Sequence, residues 1–130
     1  MTGASKGLGY AIAYQLAKQG ASVTLVARNE ELLERNIETF PTNEKQLHSF
    51  IPYDLGSLMV DAIEQKDPQY HELCSALSQS NVLVNCAGMT THELLPKLTP
   101  GTIHSVVGLN LVAPILLSQL SYRSMLKQLQ

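Results

Sequence analysis

Tryptophan is absent from this 130-residue chain, and aromatic residues make up only 5% of it. That leaves little with which to stack on nucleic-acid bases. Charge is sparse as well, at 15%, with 9 Lys+Arg against 11 Asp+Glu. A formal net charge of −2 gives no broad electropositive field, so nucleic acid is not expected as a partner. Only two cysteines occur, Cys74 and Cys86, which excludes a disulfide framework and makes a reducing compartment the expectation. The sequence shows no uninterrupted apolar run of the ~18 residues that a bilayer span needs, so no membrane partner is expected. Metal ligands are few: His71 and Cys74 stand three apart, and two ligands do not make a site.

What is present is an alternation of helical and strand-like segments, the pattern of an α/β layered sheet. Apolar residues at Leu8, Ala11, Ile12, Leu16 and Ala17 have helical spacing, and Gly20 is placed to end that helix. Ser22 to Ala27 reads as a short strand buried on both faces. Asn29 can cap a second helix with Leu32, Leu33, Ile37 and Phe40 on one stripe, and Pro41 closes it. Gln46 to Tyr53 is a weaker strand candidate. Ser57 to Ser78 looks helical, with a break forced at Asp67-Pro68. Asn81 to Val84 is a further buried strand. Leu94 to Pro100 reads as loop, and Thr99 or Thr102 can cap a long helix that runs to Gln128 with a kink at Pro114. The stripe Val106, Val107, Leu109, Leu111, Val112, Ile115, Leu116 and Leu120 is wide for a helix that faces only its own sheet. The order predicts an incomplete Rossmann-like, doubly wound parallel sheet with right-handed crossovers, spanning residues 1–130 as one partial domain.

The chain opens on Thr2-Gly3-Ala4-Ser5-Lys6-Gly7-Leu8-Gly9. Three glycines permit a tight turn and close backbone approach. The helix start that follows directs free N–H groups and partial positive charge outward, which suits a pyrophosphate. A plain glycine turn has the same composition, so the loop alone is weak evidence. The next strand ends in Val26-Ala27-Arg28, where dinucleotide folds place a ribose-binding acid for NAD or a base for the 2′-phosphate of NADP. Arg28 can fork onto a phosphate and Lys6 can add a second charge, which points to NADP(H). The plainer readings are an exposed strand-end arginine and a solvated loop lysine. A methyltransferase also carries a glycine loop, but Arg28 stands where such a protein wants an acid.

These residues resemble the short-chain dehydrogenase/reductase family. Thr2 to Gly9 matches the Thr-Gly-x-x-x-Gly-x-Gly cofactor motif, through Gly3, Ser5, Lys6, Gly7, Leu8 and Gly9. Asp54-Leu55 sits where the family contacts adenine. Asn85-Cys86-Ala87-Gly88 is similar to Asn-Asn-Ala-Gly, with Cys86 in place of the second Asn. It follows a strand-like run at the carboxyl edge where such sheets bind ligands. Asn110 matches the helix Asn that helps hold the catalytic lysine through water, the one catalytic residue the resemblance assigns to this chain. From Asn85 to Leu95 the segment is most similar to 3-oxoacyl-(acyl-carrier-protein) reductases of the fungal mitochondrial type.

The resemblance implies NADPH-dependent reduction of a 3-oxoacyl thioester or related ketone, on a small or carrier-protein-bound substrate. It implies a homo-oligomeric parent and a mitochondrial or cytoplasmic location. The family's Tyr-x-x-x-Lys pair has no match. Tyr14 and Lys18 have that spacing but fall on the first helix, and Tyr122 is followed at that distance by Leu126. The abrupt glycine-loop start and the missing pair lead us to expect a fragment of a longer reductase, without the first strand and the catalytic half. A non-catalytic nucleotide-binding or interaction module is the alternative.

Overall fold

The computed structural model describes residues 1–43 and 45–127. Its helices are α1 (Gly7–Lys18), α2 (Glu30–Glu38), α3 (Leu58–Glu64), α4 (Pro68–Gln79), α5 (Pro100–Val107) and α6 (Ala113–Lys127). The strands β1 (Thr24–Ala27) and β2 (Ser49–Pro52) pair in parallel, with Val26 opposite Ile51. Thr2 adds an isolated parallel bridge to Val26, and its N–H donates to Val84 O at 3.0 Å. The spatial order is therefore β2, β1, Met1–Thr2, then the segment around Val84. That is the parallel, crossover-linked arrangement expected of a Rossmann-like sheet.

Side-chain alternation along β1 divides the core in two. Leu25, with Val23, faces a cluster containing Ala13, Ala17, Leu33 and Phe40, under α1 and α2. Val26 faces the opposite cluster with Ile51, Leu73, Leu77 and Leu117, under α4 and α6. Helices thus cover both faces, as the sequence predicts. Asn29 caps α2, its Oδ1 accepting the Leu32 N–H at 2.9 Å. Asp67 caps α4 through the Gln69 N–H at 2.8 Å, and Thr99 caps α5 through the Thr102 N–H at 3.1 Å. The break at Asp67-Pro68 is present, with Gln65 in the left-handed region at φ 53°.

Four expectations are corrected. The buried face of α1 is Gly9, Ala13 and Ala17, while Leu8 is 70% exposed. Small residues let the helix press close to the glycine loop, and the larger ones turn outward. The run Asn81 to Val84 forms no strand and Val82 is 70% exposed; the sheet meets this run at Val84 O, which accepts the Thr2 N–H. The wide apolar stripe is only partly packed: Leu109, Leu116 and Leu120 lie against the core beside the buried Ala113, Leu117 and Ser121, while Val107, Leu111 and Ile115 are exposed. Finally, the helix is interrupted before Pro114, by a π turn over Gly108–Val112. Pro114 has no N–H to return to the preceding turn, and a widened turn absorbs that defect. The expected terminus at Gln128 lies outside the described residues.

Taken together, the run Pro100–Lys127 has 28 residues, and an 18-residue window within it has a mean hydropathy of 1.6. By length and composition it could cross a membrane, which corrects the expectation that no segment qualifies. In this fold its Ala113–Leu117–Ser121 stripe packs against α4 and the sheet.

Candidate nucleotide-binding site

Four backbone segments meet at the carboxyl ends of the strands: the glycine loop, the end of β1, the turn after β2 and the loop 86–89. Between them lies a cavity of about 940 Å³. Gly3, Ser5, Lys6, Gly7, Leu8, Gly9, Arg28, Asp54, Leu55, Ala87 and Gly88 all line it. Eleven of the twelve expected cofactor residues are thus brought together. Asn85 is the exception: it is exposed and outside the lining, because the chain turns the wall over to Cys86, Ala87 and Gly88.

The glycines are required by space and by conformation. A Cβ on Gly9 would stand 2.2 Å from Gly3 O, and one on Gly3 would stand 2.7 Å from Ala87 Cα. Gly7 differs, having φ +60° and open space around it. Lys6 is the N-cap of α1 and its side chain caps nothing, so the first N–H groups of the helix are left for a ligand.

Thr2 ties the glycine loop to the far wall. Its Oγ1 accepts the N–H groups of Cys86 at 3.0 Å and Ala87 at 3.1 Å. Asn36, on α2, holds the loop from the other side, donating from Nδ2 to Ala4 O at 3.2 Å and Ser5 O at 2.9 Å. After β2, Asp54 turns its carboxylate back to the Gly56 N–H at 2.9 Å. Leu55 is buried in the core and anchors that turn. Beneath it, Tyr53 OH and Ser57 Oγ both donate to Asp61 Oδ2, at 2.5 and 2.6 Å. Burial first, and then the hydrogen bond to Asp61, push the Tyr53 hydroxyl far above its ordinary pKa.

Asn110 is exposed, within the π turn. Its Oδ1 accepts the Met89 N–H at 2.9 Å and its Nδ2 donates to Met89 O at 2.7 Å. It therefore fixes the loop that forms one cavity wall, and does so directly.

Several residues with a part in the site were not foreseen. Thr2 was legible only as a motif letter, and Asn36 as a polar break in an apolar stripe. Tyr53, Ser57, His104 and Leu109 line the cavity without any local sequence signal. Tyr14 lies elsewhere, packed edge-on against Phe40 with ring centroids 5.9 Å apart, so its spacing to Lys18 has no bearing on the cavity. His71 pairs its ring with Gln65 O at 3.0 Å. No group of three metal-ligating side chains occurs among the described residues.

The cavity suits a phosphate-bearing nucleotide on its own terms. Its floor is glycine backbone that a Cβ would fill, a helix start faces it, and Lys6 and Arg28 supply the positive charge at its rim.

Comparison with known proteins agrees with this geometry. The family model described as short chain dehydrogenase matches residues 1–130. The 3-ketodihydrosphingosine reductase of Bos taurus is 34% identical over 88% of this chain and 34% of its own length. The 3-oxoacyl-[acyl-carrier-protein] reductase of Vibrio harveyi is 30% identical over 98% of this chain and 49% of its own. The L-sorbose reductase of Gluconobacter frateurii, solved with NADPH and L-sorbose, superposes with a TM-score of 0.82 at 25% identity. It is matched over 98% of this chain and 47% of that one. The chain spans a third to a half of the length of these relatives. Their names divide among several ketone substrates, so the narrower likeness to 3-oxoacyl reductases is not singled out. On the family match over its whole length and the glycine-lined cavity, the chain belongs to the short-chain dehydrogenase family.

Proposed function

We propose that this chain is the NADP(H)-holding half of an oxidoreductase that reduces a 3-oxoacyl thioester, or a related ketone, to the 3-hydroxy compound. The observation that carries the reading is the placement of Arg28 and Lys6 on the rim of the glycine-floored cavity. The bound cofactor would supply hydride to the keto carbon. Gly3, Gly7 and Gly9 would let the pyrophosphate approach the backbone, and the start of α1 would face its charge. Arg28, with Lys6, would hold the 2′-phosphate. Asp54 and Leu55 form the wall that would meet the adenine. Ala87 and Gly88 leave room for the nicotinamide ribose, and Asn110 fixes the loop that carries them.

Tyr14 and Lys18 have the Tyr-x-x-x-Lys spacing but lie on α1, outside the cavity lining, so turnover by this chain alone is not part of the proposal. The relatives support a ketone substrate: two are named for 3-keto or 3-oxo lipid chemistry. A carrier-protein-bound substrate, a homo-oligomeric parent and a mitochondrial or cytoplasmic setting remain parts of the same proposal. The second reading is a nucleotide-binding or interaction module without catalysis, to which the glycine-floored cavity would equally belong.

The test is titration of the purified chain with NADPH and NADH, beside an assay of NADPH oxidation with acetoacetyl thioester. Tighter binding of NADPH, by roughly 10- to 100-fold, is expected, the range given by one or two charge-assisted bonds. Arg28→Ala should erase most of that preference. Equal affinity for the two cofactors, or none for either, overturns the proposal. NADPH binding without oxidation separates a binding half from an enzyme complete in itself.

A further inference from the structure

Asn36 lies about two helical turns beyond the Asn29 cap of α2, close to the same face of the helix. Its Nδ2 has two hydrogens to donate, and the glycine loop takes both. One goes to Ala4 O at 3.2 Å and the other to Ser5 O at 2.9 Å. In a trans peptide the N–H points opposite to the C=O. With the Ala4 and Ser5 carbonyls turned to α2, the N–H groups of Ser5 and Lys6 are turned away from it. Ala4 is also tied to β1, its N–H donating to Val26 O at 3.5 Å.

The two cations at the cavity rim belong to different units. Lys6 is the N-cap of α1 and travels with the glycine loop. Arg28 directly precedes the Asn29 cap, whose Oδ1 accepts the Leu32 N–H at 2.9 Å, and so travels with α2. Both side chains are exposed on the rim, and neither forms an ion pair among the described residues. Asn36 bonds one unit to the other next to Lys6. Further along, Tyr10 OH meets Thr39 Oγ1 at 3.1 Å, and that hydroxyl donates to Asn36 O at 2.7 Å. Tyr10 and Tyr14 of α1 also pack on Phe40, with ring centroids 5.8 and 5.9 Å away. These contacts hold α1 to α2 without the Asn36 side chain, so its loss frees the loop and does not part the helices.

We infer that Asn36 is a positioning residue that sets the separation of Lys6 and Arg28, and through it the preference of the cavity for a nucleotide bearing a 2′-phosphate. This rests on the nucleotide reading above. Two cations strengthen one phosphate contact only while both reach it in bonding geometry. The glycine backbone and the start of α1 would meet a pyrophosphate, which NADPH and NADH share. The ratio of the two affinities therefore isolates the paired cations from the rest of the site.

The test is calorimetric titration of the 130-residue chain with NADPH and with NADH. Asn36→Ala removes both donors and suits a helix. It should lower the NADPH-over-NADH preference at least about 5-fold, with NADH affinity changed by less than about 2-fold. Asn36→Leu, similar in volume and without donors, gives a second chain for the same ratio. Asn36→Gln keeps the donors and should retain more of the preference than either. In an Arg28→Ala background the alanine change at Asn36 should leave the ratio where it is, because one of the paired cations is already gone. An unchanged ratio in Asn36→Ala and Asn36→Leu overturns the inference, as do equal losses for both nucleotides, which mark a structural role alone. A wild-type chain that binds the two nucleotides equally overturns the nucleotide reading itself. A wild-type preference that survives both substitutions overturns only the role of Asn36.

Discussion

Asn110 grips the Met89 peptide at both ends, accepting its N–H at 2.9 Å and donating to its C=O at 2.7 Å. One amide side chain thereby spans from the π turn to the loop that closes the nucleotide cavity. Asn110→Ala removes both bonds, each worth about 1 kcal/mol. A loss of about 1–2 kcal/mol in urea unfolding is expected, with faster hydrogen exchange at Met89. Asn110→Asp keeps the acceptor, so the Met89 N–H bond should survive and the loss should be smaller. Unchanged exchange at Met89 in the alanine variant would remove Asn110 from this role.

Gly7 and Gly9 are two letters of one motif, but they should respond differently to alanine. At Gly9 the new Cβ would lie 2.2 Å from a backbone oxygen, so the glycine loop or α1 must move. Gly9→Ala should cost more than about 3 kcal/mol, beyond the ordinary range for one substitution, and should abolish nucleotide binding. At Gly7 the space is open and only the positive φ is strained, at about 1–2 kcal/mol. Paired denaturation curves of the two variants check the contrast. Equal losses would show that the loop is looser than the distances imply.

Tyr53 makes stability fall in alkali. Its hydroxyl is buried and hydrogen-bonded to Asp61, so the folded state holds the proton well above the ordinary value of 10.0. An acid whose folded pKa is raised contributes stability that is present below the unfolded pKa and lost as pH rises past it. Stability should therefore decline above about pH 10, with a tyrosinate absorbance step that coincides with unfolding. Tyr53→Phe should lessen the alkaline slope. At neutral pH it should cost only about 1–2 kcal/mol, since Ser57 still donates to Asp61.

The parts of the fold that were legible were those governed by local chemistry. Asn29, Asp67-Pro68 and Thr99 mark helix boundaries because short polar side chains and proline act on neighbouring backbone. The cofactor residues Gly3 to Gly9 and Arg28 were legible because spacing and charge state the requirement for a phosphate. What was not legible depends on partners distant in sequence. Asn81 to Val84 has the composition of a buried strand, yet burial needs a neighbour along its length, and the contact with Thr2 falls at Val84 O. Leu8 and Ile12 look like the core face of α1 together with Ala17, but tight approach to the glycine loop selects Gly9 and Ala13 beside Ala17. Thr2, Asn36 and Tyr53 act across gaps of 8 to 85 residues, and no local pattern records such distances.

The π turn at Gly108–Val112 has a consequence for how this helix can change. A regular α-helix advances about 100° per residue, so one surplus residue in a turn sets the two halves of the helix a step out of phase. The half before the turn ends at Val107, and the turn itself carries Asn110 and its hold on Met89. The half after it keeps Ala113, Leu117 and Ser121 turned inward. Deleting a single residue there would restore even winding and rotate one surface away from its partner, though every side chain outside the turn were kept. The turn works as a vernier between the cavity wall and the core, and it makes the length of this stretch as constrained as its composition.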